Sequence, residues 1–287
     1  MIFIIVKSYT IDTILKEVYL NKPVDEDLNT KFSDFTSYLS GMAKGVVDKL
    51  FFLKFIKPDM LVDFGSADGF ILKQIHKYNP NINLIGYDIS PDMITIAKEK
   101  IPDIQFTNNW LDAIKDVKRY KNSCLLLSSV IHEVYSYSTS EAIEYFWESI
   151  FNAGFEYIVI RDTIPSEKIE KVINFKKDVE QVKKIVDPKL LDDYENSWGP
   201  IDKSYKNFIR FVLMYRYRNN WSRERLEDYL SLTYESMLLK ILPKYNDRYK
   251  IIYDKKFKFK PIQTSFAKDF NIPLRQDIHL KMILRHK

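Results

Sequence analysis

Between Leu61 and Asp162 the chain alternates short apolar runs with helix-forming segments, and few architectures accommodate that rhythm. The runs LVDFG, INLIGYD, IQFTNN, SCLLLSSV and EYIVIRDT are separated by FILKQIHKY, SPDMITIAKEKI and TSEAIEYFWESIFNAG. The runs are short and mostly apolar throughout, as expected of strands buried on both faces. The intervening segments carry helix punctuation. Ser90 caps a helix with Pro91 at its first position, and another starts on Thr139 or Ser140 and stops at Gly154. Strands alternating with helices predict an α/β fold, with a mostly parallel sheet covered by helices on both faces.

Outside this stretch the pattern changes. Residues 1–57 read as an N-terminal helical cover, with apolar spacing near 3.6 and with Phe35 and Tyr38 as possible lining residues of a pocket. Residues 58–164 form the expected core. Residues 165–245 contain no convincing strand and read as a helical insertion, rich in Lys, Tyr and Arg. Two strand-like segments, RYKIIYDKKFKF and DIHLKMILRHK, return within 246–287 and are expected to complete the sheet as a terminal strand pair. At 287 residues the chain is long enough for one large core, or one core and an added lobe. A lone cysteine, Cys124, excludes an internal disulfide framework and suits a reducing, cytoplasmic setting. The opening MIFIIVKSYT lacks a basic n-region and a small-residue cleavage site, so a signal peptide is not expected. No apolar run approaches the roughly 18 residues of a membrane span. The net charge of +5 is compatible with an anionic partner without requiring one.

The first strand ends in LVDFGSADGF. The chain has seven glycines, and Gly65 and Gly69 both sit in this turn, just after Asp63. In open α/β sheets, ligands bind outside the carboxyl ends of the strands. Glycine is favoured there because the backbone must take a positive φ or approach a ligand closely. The spacing is D-x-G-x-x-x-G, which is not the dinucleotide fingerprint, and the absence of G-K-[ST] excludes a P-loop. A second acid, Asp88, ends the second strand. It can accept both hydroxyls of a ribose, or it can cap the helix that begins after Ser90. No basic residue stands beside these motifs to hold a phosphate. A ribose without a phosphate fits S-adenosylmethionine better than NAD.

With these residues the chain resembles the class I S-adenosylmethionine-dependent methyltransferases, over roughly residues 58–162 and the two terminal strands. Asp63, Gly65, Ala67 and Gly69 match the family's D/E-x-G-x-G-x-G motif, with Ala67 in place of the middle glycine. Asp88 matches its second acid, and SPDMITIAK looks like its following helix. The resemblance implies a Rossmann-like, mostly parallel seven-stranded sheet with S-adenosyl-L-methionine as cofactor. It implies donor contacts from Asp63, Gly65, Ser66, Ala67, Gly69, Asp88, Ile89, Asn109, Trp110 and Ser128.

The acceptor side should follow the fourth strand, at SSVIHEVYSYS, residues 128–138. The [DN]-P-P-[YFW] signature of amino-methylating members is absent. His132 is a candidate general base, since imidazole titrates near neutral pH, or a histidine packed beneath the donor. Glu133 is expected to point away and pair with a surface lysine. His132-Glu133 is not H-E-x-x-H, so no metal is expected here. Arg161 and Asp162 either receive an anionic group of the acceptor or pair with each other to tie down the insertion. In residues 204–230, Lys206, Arg210, Arg216, Arg218, Arg223 and Arg225 alternate with aromatics, which suits RNA or a packed helix with a basic outer face. The expectation is a methyltransferase with a narrow preference for RNA over a small molecule. A non-catalytic donor-binding subunit is the alternative.

Overall fold

The computed structural model describes residues 45–287. The expected helical cover, with Phe35 and Tyr38, therefore lies outside the described residues, apart from its last stretch. That stretch holds a short helix, α1 (Val46–Lys49), and a 3-10 turn, Phe51–Lys54.

Strands β1 (Met60–Phe64), β2 (Asn83–Tyr87), β3 (Gln105–Thr107), β4 (Ser123–Ser128) and β5 (Tyr157–Asp162) pair in parallel. Strands β6 (Tyr249–Phe257) and β7 (His279–His286) complete a seven-stranded sheet in the order 3-2-1-4-5-7-6, with β7 antiparallel to both neighbours. The register aligns Phe64 with Tyr87 and Leu127, and Ser128 with Arg161. The carboxyl ends of β1, β2, β4 and β5 therefore open on one edge.

Both faces of the sheet are covered. Helices α2 (Phe70–Tyr78) and α3 (Pro91–Lys100) lie on one, where Leu72, Ile75, Ile94 and Ala97 pack on Leu61, Leu84, Leu126 and Val159. Helices α4 (Trp110–Ile114), α5 (Ile131–Tyr137) and α6 (Ser140–Asn152) lie on the other, against Val62, Ile85, Leu125 and Ile160. The caps anticipated for α3 and α6 are present: Ser90 Oγ accepts from Met93 N, and Thr139 Oγ1 from Ala142 N.

Residues 165–245 are helical, with no strand. They include α7 (Lys176–Lys183), α8 (Pro188–Trp198), α9 (Tyr205–Tyr215), α10 (Trp221–Glu224) and α11 (Tyr234–Ser236). Their core is a separate cluster around Tyr194, Tyr205, Phe208 and Phe211. One element departs from the sequence expectation. The terminal strands are not a simple pair, because α12 (Lys260–Phe270) stands between them and sends Ile262, Phe266 and Phe270 into the helical cluster. The lobe is thus closed by a helix from the far end of the chain. Phe266→Ala should therefore cost about 3–5 kcal/mol. Hydrogen exchange should register the loss chiefly in α8 and α9, far away in sequence, and only weakly in β1 and β4.

Candidate active site at the strand ends

The glycine turn and the second acid meet. Gly65 and Gly69 take φ of +76° and +75°. A side chain at Gly69 would strike the Phe106 ring and Ile101, and one at Gly65 would strike Val130. Ala67 also adopts a positive φ, +46°, a conformation glycine reaches without penalty. Gly65 N and Ser66 N donate to Tyr87 O, at 2.8 and 2.9 Å. Ala67 N donates to Asp88 Oδ2 at 2.8 Å, and Ser90 N to Asp88 Oδ1 at 2.9 Å. Asp88 therefore clasps the turn and also holds the amide of Ser90, the cap residue of α3. Burial raises its pKa, against the pull of those two amides. Each carboxylate oxygen keeps a lone pair for a further donor.

Asp63, at the end of β1, is 1% exposed. Burial raises its carboxyl to about 7; nearby Lys49 opposes the rise and Asp88 adds to it. Among the described residues, three buried oxygens around this corner lack a hydrogen-bond partner: Asp63 Oδ2, Ser66 Oγ and Ser128 Oγ. Buried polar atoms normally find partners. An unsatisfied set at the strand ends suits a polar ligand lying across β1 and β4.

The residues after β3 behave differently from expectation. Asn109 Oδ1 accepts from Leu111 N and Asp112 N and so caps α4. The Trp110 ring is core, 5.3 Å from the Phe64 ring and 5.4 Å from that of Tyr87. The resemblance implies a donor contact at Trp110, but the start of α4 turns the ring into the core. Ile89 is half-buried and packs on the same core.

At the other side of the edge, Asp162 organises the segment after β4. Its Oδ2 accepts from Val130 N and Ile131 N, at 2.9 and 2.7 Å, and its Oδ1 accepts from Thr163 N. The same Oδ1 lies 2.5 Å from His132 Nδ1, while His132 Nε2 lies 3.0 Å from Glu227 Oε1. The Tyr229 ring stacks on the imidazole at 5.0 Å. Burial alone would lower the pKa of His132, but the two carboxylates hold it well above 6.5. Burial would raise that of Asp162, but His132 and the backbone amides bring it to about 2.

Both His132 ring nitrogens lie against carboxylates, an arrangement that favours the imidazolium and tells against the general-base role expected from the sequence. The partner that decides this, Glu227, comes from the helical lobe. Glu133 also differs from expectation. It pairs with Arg223 at 3.3 Å, and Arg223 reaches Glu224 and Glu227 at 3.5 Å. His132, Glu133 and Glu227 bring ligand-type atoms within 4.8 Å of one another, but the Arg223 guanidinium already supplies the cation beside both glutamates.

Arg161 and Asp162 do not pair with each other. Arg161 is 4% exposed, binds Asp48 of α1 at 2.8 Å and stacks on Phe259 at 4.4 Å. It is a strut for α1. The basic residues of 204–230 are also largely committed within the fold. Arg210 binds Asp228 at 2.8 Å, Lys206 faces Glu170 at 3.7 Å, and Arg216 donates to Ser265 Oγ at 3.2 Å. Phe208, Phe211 and Tyr215 are buried. Sequence reading missed Lys49, a buried lysine in α1, and Glu227. No local pattern marks either, because each depends on a long-range contact.

The His132 geometry has a direct readout. Long-range nitrogen–proton NMR should show both ring nitrogens still protonated above pH 6.5. Its contribution to stability is complete below about 6.5, the unfolded value, and declines as pH rises from there toward the raised folded value. That of Asp162 is complete above 3.8 and is lost as pH falls through about 2. Titration of His132 near 6.5 would contradict the bridge.

No family model and no curated protein sequence matches the chain. Several solved structures are similar to the chain at low identity. The plantazolicin methyltransferase BamL, solved with a triazolic desmethylPZN analog and SAH, is 14% identical, with a TM-score of 0.49 over 97% of this chain and 99% of its own. MccD protein is 12% identical, with a TM-score of 0.46 over 86% and 98%. The methyltransferase domain of bacterial-CtHen1-CN is 13% identical, with a TM-score of 0.43 over 87% and 100%. No helix among the described residues is long and apolar enough to cross a membrane. The strand order 3-2-1-4-5-7-6, with β7 reversed, is the topology of the class I methyltransferase fold.

Proposed function

We propose that the chain is an S-adenosylmethionine-dependent methyltransferase acting on a compact acceptor. The observation that carries the donor reading is the clasp between Ala67 N and Asp88 Oδ2. It sets a left-handed backbone turn against a carboxylate with acceptor capacity to spare. The adenosine ribose would lie on Asp88. The amino-acid tail would lie toward Asp63, Ser66 and Ser128, where buried oxygens lack partners among the described residues.

The donor's sulfonium supplies an activated methyl group. The chain's part is alignment and exclusion of water, which can contribute about 7–11 kcal/mol. His132 does not remove a proton; it holds Glu227 of the lobe against the segment after β4. The acceptor would enter already nucleophilic, between the strand ends and the lobe. A compact acceptor is preferred to RNA because the basic and aromatic side chains that suggested RNA are largely spent on internal ion pairs and core packing.

Calorimetry tests the donor reading. S-adenosylhomocysteine should bind, and NAD and ATP should not. Asp88→Ala should weaken binding by about 1.5–3 kcal/mol, the range for hydrogen bonds to a charged group. Unchanged affinity in a folded variant would remove the donor site from this edge. Labelled-methyl transfer should favour small metabolites over RNA, with little dependence on salt.

A further inference from the structure

The far edge of the sheet has no place in the donor reading. Strand β6 ends the strand order and pairs only with β7, so among the described residues one row of its backbone N–H and C=O groups is open. Such an edge is a template for another strand, and proteins blunt it with charge, a bulge or a cover. Strand β6 carries lysines and a bulge between Ile251 and Tyr253, yet its first half is also apolar at the surface. Ile251 and Ile252 are 39% and 42% exposed.

Beside them the surface is concave. A π-helical turn, Met237–Ile241, and a 3-10 turn, Leu242–Tyr245, lead from the lobe into β6. Against the sheet they leave a groove of about 340 Å³, lined by Leu238, Leu242, Pro243, Tyr249, Ile251 and Leu284. Leu239, in the π-helical turn, is 75% exposed. Such turns are rare and occur frequently at functional positions. Apolar side chains gathered at the surface mark interaction sites in a way that scattered ones do not.

The charge along this edge is positive. Strand β6 holds Lys250, Lys255 and Lys256 against one acid, Asp254, which accepts from Tyr234 Oη at 2.6 Å. Lys240, Lys250 and Lys255 are exposed and form no ion pair among the described residues. Open main chain, apolar groove and basic flank together complement an extended segment with apolar side chains on one face and acidic ones on the other. Two other occupants fit less well. A second copy adding its own β6 in antiparallel sense, centred on Tyr253, would set Lys250 against Lys256, and like charges directly opposite are destabilising. An anionic bilayer offers the strand no backbone partner and is flat where this surface is concave.

We propose that β6 is a docking edge for an extended acidic segment of a partner protein, which adds as an eighth strand and sets its apolar side chains in the groove. The proposal stands apart from the donor reading and does not depend on it.

The test uses the full chain and two synthetic peptides, one alternating leucine with glutamate and the other leucine with lysine. Amide NMR shifts and hydrogen exchange report binding. The glutamate peptide should protect amides of β6, shift those of Met237–Tyr245 and leave β1 to β3 unchanged. Its affinity should fall about tenfold as salt screens the lysines. Ile251→Glu should weaken it about tenfold or more, since the groove would then bury a charge. A second variant, combining Lys240→Glu, Lys250→Glu and Lys255→Glu, leaves the groove intact and should reverse the preference toward the lysine peptide. No binding at about millimolar peptide, equal binding of the two peptides, shifts confined to other surfaces, or an unchanged preference in the charge-reversed chain overturns the proposal. So does self-association that Ile251→Glu abolishes, which would make a second copy the occupant. Binding to phosphatidylserine vesicles through the same residues, with no peptide bound, would overturn it in favour of a membrane surface.

Discussion

The Asp162 carboxylate is the hub on which the geometry of this edge depends. It is fully buried, yet its oxygens accept from Val130 N, Ile131 N, Thr163 N and the His132 ring. A buried carboxylate is tolerated only when its lone pairs are filled and its charge is compensated. Filling them here fixes the path of the chain out of β4, where Ser129 takes a φ of +60°. The compensating charge is His132, whose second nitrogen reaches Glu227. One chain of charge-assisted bonds thus runs from the central sheet into the helical lobe. Arg223, held by Glu133 of the core and Glu227 of the lobe, crosses the same boundary.

The two sides of the strand edge are in contrasting states. On the β4–β5 side the ionised groups have partners within the chain. On the β1 side Asp63 Oδ2 and Ser66 Oγ are buried with bonds left unmade among the described residues. Such a deficit is expected where a ligand completes a site, because leaving a buried polar group unsatisfied costs about 1–3 kcal/mol. The β4–β5 side ties the lobe to the sheet, and under the proposed donor reading the β1 side, with Ser128 of β4, is where a ligand would complete unmade bonds.

Legibility from sequence followed the range of the interactions. The alternation of strands and helices from Leu61 to Asp162, the caps at Ser90 and Thr139, and the turn at Gly65 and Gly69 are local, and each stands where its spacing implied. Asp88 was readable because it sits at a strand end, where the parallel register delivers it to the turn. What failed was non-local. His132 looks like a base until Glu227, from the lobe, occupies its second nitrogen. Arg210 looks like a phosphate contact until Asp228 pairs with it. Helix α12 lies inside what reads as a strand pair, and its apolar face belongs to a cluster assembled mainly from residues 169–230. Lys49 carries no signal at all, since a single lysine in a short helix looks like any surface lysine until its neighbours bury it.

The loss of His132 as a base narrows the chemistry. With both ring nitrogens against carboxylates, His132 offers no ready lone pair after β4 to a weakly acidic hydroxyl. The other described histidine at the strand ends is His279, which is buried and whose pKa is held well below 6.5, first by burial and then by Arg161. It is neutral, but it lies at the start of β7, paired in the sheet with Phe257 and ringed by Phe257 and Phe259. Its Nδ1 is buried and has no hydrogen-bond partner among the described residues. General-base catalysis requires a lone pair within hydrogen-bond reach of the proton to be removed. If the proposed methyltransferase reading holds, an acceptor that arrives with its own lone pair exposed would suit a site built this way. It asks of the protein chiefly that donor and acceptor be held in line.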